Sequence, residues 1–232
     1  MRRATHLLGT LLAAVGVLTL LWALLVWQWQ DPFTALYTKW KQHQLASQYD
    51  KRTRSFQPTI SAVSQAAERA SIAREAKRYR TSSTRGEVIG RLRVPRMGLN
   101  ILLVNGTDHD TLKKGPGRDL RTFMPGENRL VYIAGHRTTY LAPFSHIDRL
   151  RSGDRFTINV PYGTFIYSVT RHRIVKSTDL SVLRSPEHEV VELQACHPRF
   201  FASHRYIAYA RLLRVEPRGG KPYELMAQAS GK

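Results

Sequence analysis

Among 232 residues there is one cysteine, Cys196. A single thiol excludes the internal disulfide framework on which small secreted domains rely. Acidic residues are scarce too: 17 Asp and Glu stand against 36 Lys and Arg, a formal net charge of +19. That imbalance favours anionic neighbours such as phospholipid headgroups or acidic wall polymers. It does not point to nucleic acid, because zinc-finger spacing, a helix-turn-helix pattern and an aromatic RNA-binding signature are all missing. No run of carboxylates is dense enough to hold a hard cation, "RSPEHEV" included, so neither a metal nor a cofactor is expected. No internal repeat is evident.

Charge is also absent from Leu7 to Trp27, "LLGTLLAAVGVLTLLWALLVW", 21 residues long. As a helix this run spans about 31 Å, close to the hydrocarbon thickness of a bilayer. Arg2 and Arg3 precede it, and Trp22, Trp27 and Trp29 gather at its far end, where interfacial aromatics belong. "WQWQDPF" follows where a cleavable signal peptide would carry small residues. The sequence therefore predicts a retained single-pass anchor over residues 1–29, with the N-terminus cytoplasmic and the bulk of the chain outside the cell membrane.

Residues 30–85 carry eleven basic and four acidic side chains and little large aliphatic content. Ile60, Val63, Ala67, Ala70 and Ala73 recur at helical spacing, but the stripe is mostly alanine. A basic stalk, helical or disordered, fits better than an independent domain, with "RTSSTRG" as a flexible joint. Residues 86–216 then read as short β-rich runs punctuated by Gly, Pro and Asn-Gly: "VIGRLRV", "LNILLV", "RLVYIAG", "DRFTINV", "GTFIYSVTRHRIV", "HEVVELQAC" and "RYIAYARLLRV". Short helices fit around Asp108–Lys113 and Pro143–Leu150. Many strands with few helices argue a mainly β fold closed into a barrel, since closure removes exposed edges. Residues 217–232 read as a flexible tail.

In "VELQACHP", Val191, Leu193 and Ala195 share one strand face, and Val190, Glu192, Gln194 and Cys196 the other. The first face is apolar and belongs to a core. The more polar second face puts Cys196 where a ligand reaches it, although a lone cysteine is by default an inert small hydrophobe. A reactive thiol needs a proton partner, and for acyl chemistry a donor for the developing oxyanion. Nine histidines compete for the first role. His136, just past the apolar run "RLVYIAG", is held by a rigid scaffold at a cleft, with His146 second and His204 open. His197, adjacent to the cysteine, points to the opposite face. Arg205 opens the next strand nine residues after Cys196, at strand-return distance, in a chain where surface arginines are common.

The ordered set "IAGHRTTYLAPF", "ELQACHP" and "RYIAYA" resembles the sortases, membrane-anchored cysteine transpeptidases, and most nearly those of class E. The resemblance runs from Gly86 to about Val215 and includes "RLRVPRMGLNILLVNGT", "LKKGPG", "MPGE" and "LRSGDRFTI". It implies an eight-stranded sortase-type β-barrel with Cys196 as nucleophile, His136 as general acid/base and Arg205 as oxyanion donor. It further implies cleavage of an LAxTG/LPxTG-like sorting signal between Thr and Gly through a thioester on the cysteine. The partners implied are secreted proteins bearing that signal and an amine acceptor on a peptidoglycan precursor. Tyr140 corresponds to a tyrosine associated with LAxTG preference. Thr138 and Thr139 beside it, and Ala195 before the cysteine, are the remaining substrate-binding candidates. The family usually has Thr at the position of Ala195, so a hydroxyl is missing there. "GPGRDLRT" and "PGENRLVYIAGHR" also depart from the usual pattern. The alternatives are a pilin-polymerising sortase and a non-catalytic, membrane-tethered module that docks to anionic wall polymers.

Overall fold

The computed structural model describes residues 2–28, 32–61 and 63–225. Trp29 of the interfacial cluster and residues 226–232 of the tail lie outside the described residues. Three helices come first: α1 (Arg2–Gln28), α2 (Pro32–Ser55) and α3 (Gln65–Ser82). The strands follow as β1 (Val88–Val94), β2 (Leu99–Asn105), β3 (Gly117–Arg118), β4 (Leu130–Ala134), β5 (Arg155–Val160), β6 (Gly163–Lys176), β7 (Val190–His197), β8 (His204–Pro217) and β9 (Tyr223–Glu224). A short helix α4 (His109–Leu112) joins β2 to β3, and 3-10 turns occupy Pro95–Met97, Ile147–Arg149 and Leu180–Leu183. Both short helices expected from the sequence are present.

Eight strands pair in the order β6-β5-β1-β2-β3-β4-β7-β8, and the additional β6–β8 pairing closes the ring. The expected eight-stranded barrel is there, with β9 added outside it on β8. Closure leaves no long unpaired edge to recruit another chain. The interior is filled by Leu92, Ile133, Phe156, Phe165, Leu193 and their neighbours, all buried. A second apolar layer, including Tyr132, Ala134, Val182 and Ile207, covers the outer face of β4, β7 and β8.

One buried carboxylate in this frame is well paired. Glu189, just ahead of β7, is buried; it accepts from Tyr167 Oη at 2.5 Å, from Gly126 N at 2.8 Å and from Asn128 N at 3.3 Å. Gly126 has φ +96°, and a Cβ there would sit 2.6 Å from Ile72, so only glycine fits the turn that Glu189 holds.

Residues 30–85 depart from the stalk that their composition suggests. α3 places Ile72, Ala76 and Tyr79 in the main core, and Tyr79 Oη donates to the Ile89 carbonyl at 3.1 Å. α2 packs Leu45 and Tyr49 against Val88, Leu102 and Val104. Its Gln42 side chain accepts from Leu102 N at 2.8 Å and donates to Leu102 O at 3.1 Å, as a strand neighbour would. The buried stripe of α3 runs through Glu68, Ser71, Ile72, Glu75, Ala76 and Tyr79, not through Ala67, Ala70 and Ala73, and Val63 is 92% exposed. Polar residues in the packed stripe hid its period. Glu68 is tolerated there because it accepts from Lys221 N at 2.7 Å. The joint is likewise fastened: Asn105 Nδ2 donates to the carbonyls of Ser83 and Thr84.

Among the described residues, one helix is long and apolar enough to cross a membrane, over Thr5–Leu24, and none of that stretch is buried within the fold.

Candidate active site

Three adjacent strands assemble the site. β4 and β7 run parallel, pairing Tyr132 with Glu192 and Ala134 with Gln194. The ladder goes one step further, with Gly135 N donating to Gln194 O at 3.0 Å. Two residues past the Ala134–Gln194 pair, the same register brings His136 level with Cys196. β7 and β8 run antiparallel, and there Cys196 lies directly opposite Arg205. Side chains directly opposite each other share a face, so thiol and guanidinium stand side by side on β7 and β8, with His136 in the loop just past the end of β4.

All three line one cavity of about 270 Å³, whose walls include Tyr132, Arg121 and Leu180. The volume suits one or two side chains of an extended peptide rather than a folded partner. Cys196 is a free, half-buried thiol. Arg205 is half-buried, and its Nη1 is steadied by the carbonyls of Ala202 at 2.7 Å and His204 at 3.0 Å. His136 sits below its ordinary pKa, chiefly because burial disfavours the imidazolium and secondarily because His109 is near. Its Nε2 is buried with no hydrogen-bond partner among the described residues. A neutral imidazole with an open nitrogen is what proton exchange with a thiol or a leaving amine requires.

Local packing fixes the histidine loop. A Cβ on Gly135 would come within 2.8 Å of the Phe144 ring, so glycine lets that ring pack under the loop. Tyr140, Leu141 and Ala142 follow with φ of 53°, 63° and 38°, left-handed backbone in three consecutive non-glycine residues. Strain of this kind persists only where surroundings hold it, and here α2 does so. Tyr140 N donates to Thr34 Oγ1 at 3.0 Å. The Tyr140 ring lies 5.0 Å from His136, 6.5 Å from Tyr37 and 6.5 Å from His109 between centroids.

Several sequence-derived candidates fall elsewhere. Ala195 is fully buried in the barrel interior, opposite Tyr206, and does not reach the cavity. Side-chain alternation sends it to the face away from Cys196, so a residue there touches the strand's packing rather than a ligand. Thr138 and Thr139 are half-buried on the histidine loop and do not line the cavity; neither does His146. His197 faces away from the thiol, as its position in the strand requires.

Two features were not read from the sequence. Arg137, buried next to His136, donates to the Cys196 carbonyl at 3.3 Å, contacts His197 Nδ1 at 3.0 Å and pairs with Asp148 at 3.2 Å. It clasps the histidine loop to the cysteine strand, and in so basic a chain nothing local distinguished it. Glu192 shares the face of Cys196 two positions deeper, beyond Gln194; its Oε2 has no partner among the described residues, and burial pushes its carboxyl up to about 8. At neutral pH it is protonated.

Residues 92–213, more than half the chain, match the family model "Sortase domain". The chain belongs to the sortase family. It is similar to Sortase D of Bacillus subtilis, at 32% identity over 130 residues, 54% of this chain and 64% of that protein. The alignment thus spans less than two thirds of that curated relative. Among solved structures it resembles a sortase E of Streptomyces avermitilis, with TM-score 0.52 and 29% identity, covering 58% of this chain and 93% of that one. A Clostridium perfringens Sortase D5 transpeptidase superposes with TM-score 0.61 at 22% identity, covering 75% and 98% respectively. That likeness speaks for the sortase fold alone.

Proposed function

We propose that this sortase is a membrane-anchored cysteine transpeptidase that cuts an LAxTG/LPxTG-like sorting signal between Thr and Gly and passes the acyl part to an amine of a cell-wall precursor. The observation that carries this reading is that His136, just past β4, and the paired residues Cys196 and Arg205 of β7 and β8 line one cavity.

The chemistry follows from their order. Cys196 Sγ gives its proton to His136 and attacks the threonine carbonyl carbon. Charge that develops on the carbonyl oxygen is met by the Arg205 guanidinium; one such donor is typically worth about 3–4 kcal/mol. The C–N bond then breaks, with His136 delivering its proton to the departing glycine amine, leaving a thioester on Cys196. General acid/base assistance of this kind contributes about 10²–10⁴ in rate. An incoming amine attacks the thioester, loses a proton to His136 and frees the thiol as a new amide forms. Tyr140, which does not line the cavity but whose ring lies 5.0 Å from that of His136, is the residue we assign to contact with the second residue of the signal.

α1 is read as the anchor, with N-terminus cytoplasmic and barrel outside. Its flanking Arg2 and Arg3 and its apolar 20-residue stretch support that reading.

The test uses the full chain in detergent micelles, because α3 belongs to the barrel core. Incubated with LAxTG and LPxTG peptides and an amine acceptor, the protein is expected to show by mass spectrometry an acyl adduct on Cys196 and an amide product, both lost in Cys196→Ala. Absence of any adduct with either peptide rejects the transpeptidase reading.

A further inference from the structure

The ends of β4 and β7 line the cavity, the loop joining β7 to β8 runs between the lining residues Cys196 and Arg205, and the start of α2 bonds through Thr34 to Tyr140, whose ring lies against His136. The first of these places the reacting groups; the other two carry apolar side chains that the fold leaves uncovered. On α2, Leu36 and Trp40 stand one turn apart at 69% and 52% exposure, flanked by Lys39 and Lys41. Lys41 Nζ lies 4.4 Å from the Trp40 ring centroid. These residues face away from the side through which α2 packs on the barrel, which carries Thr38, Leu45 and Tyr49. In the loop between Cys196 and Arg205, Phe200 and Phe201 are 52% and 69% exposed, with the Arg199 guanidinium 6.0 Å from the Phe200 ring.

Chain length decides what these patches face. Thr34, bonded to Tyr140 at the mouth, is six residues past Gln28, where α1 ends. Six residues reach at most about 20 Å even when fully extended. With α1 in a bilayer, Thr34 therefore lies within that distance of the end of α1, and the histidine loop bonded to it lies close to the membrane surface. Exposed Trp, Leu and Phe interleaved with Lys and Arg are the side chains that settle at an anionic interface: rings enter the headgroup boundary while cations meet lipid phosphates.

We infer that the catalytic mouth is seated on the anionic phospholipid surface by two apolar-basic prongs, Leu36–Trp40 of α2 and Phe200–Phe201 of the β7–β8 loop. The inference rests on α1 being the membrane anchor. It adds that the cavity opens on the side of the molecule that faces the bilayer.

The experiment places the full chain, in a Cys196→Ala background, in nanodiscs containing anionic phospholipid. Single nitroxide labels are attached through Phe201→Cys, Leu36→Cys, Leu18→Cys or Val63→Cys, and collision with oxygen and with a water-soluble nickel chelate is compared. Val63 lies in the α2–α3 connection, 92% exposed, beyond the end of α2 remote from Thr34. Labels at 201 and 36 are expected to be oxygen-rich and at least several-fold protected from nickel relative to the label at 63. Replacing the anionic lipid by a neutral one is expected to weaken that protection. An immersed label at 18 with labels at 201 and 36 as nickel-accessible as that at 63 overturns the seating while leaving the anchor intact. A nickel-accessible label at 18 overturns the anchor and the seating together.

Discussion

Replacing Glu189 by glutamine tests whether the buried carboxyl that holds the Gly126 turn retains a proton as the pH approaches neutral. Glu189 is buried beside Tyr167, and burial pushes its carboxyl up to about 7 from an ordinary 4.5, against the hydrogen bonds it accepts. Between those two values the folded chain keeps a proton that the unfolded chain has released. Stability therefore falls as pH rises from about 4.5 and levels off above 7. A displacement of about 2.5 pH units corresponds to roughly 3 kcal/mol, at 1.36 kcal/mol per unit. In Glu189→Gln the amide oxygen still accepts from Gly126 N and the amide NH₂ donates to Tyr167 Oη, so the packing survives and the titration disappears. Thermal unfolding of both proteins in detergent, followed by scanning calorimetry at pH 5 and pH 8, measures the difference. The variant is expected to gain on the wild type by roughly 6–12 °C between those pH values, at 2–4 °C per kcal/mol for a chain of this size. A difference that stays constant with pH, or one that moves in favour of the wild type, refutes the reasoning.

Three further outcomes are expected. Ile72→Ala opens a hole where α3 meets the barrel and costs about 2–5 kcal/mol in the same unfolding assay, although the residue belongs to a segment whose composition resembles a spacer. Arg137→Gln breaks the clasp between the Cys196 carbonyl, His197 and Asp148; kcat is expected to fall about tenfold or more with KM little changed, and Arg137→Lys to restore part of it, as judged by peptide turnover. Because burial holds His136 low, the acid limb of the pH–rate profile is expected below 6.5, and turnover falls as pH drops through it; a limb above 6.5 rules out this imidazole as the group observed.

The seven longer strands were legible because each alternates or runs apolar for five residues or more between turn residues. β3 and β9, two residues each, are too short to show any period and exist only through their neighbours' ladders. The face of Cys196 followed from alternation alone, and the same rule disposes of Ala195. What alternation did not disclose is that the second face is itself covered, by Val182 and Leu183 of the turn above it, which makes the site a walled cavity. The packing of α2 and α3 was hidden because glutamates, a serine and a glutamine occupy contact positions, with Glu68 and Gln42 satisfied by the distant Lys221 and Leu102. Arg137 escaped notice for the opposite reason: its residue type is too common here to carry information.

The strand ladder that aligns the working groups makes this protein more sensitive to length than to identity. One residue added between Ala134 and His136 would turn the imidazole toward the barrel interior, and one removed would do the same, with every neighbour chemically unchanged. Two added would restore the direction but lift the ring a full step, about 6–7 Å, above the sulfur. Natural insertions are thus to be sought on the far side of the histidine, in the loop beyond it, where extra chain leaves the parity of β4 and β7 untouched.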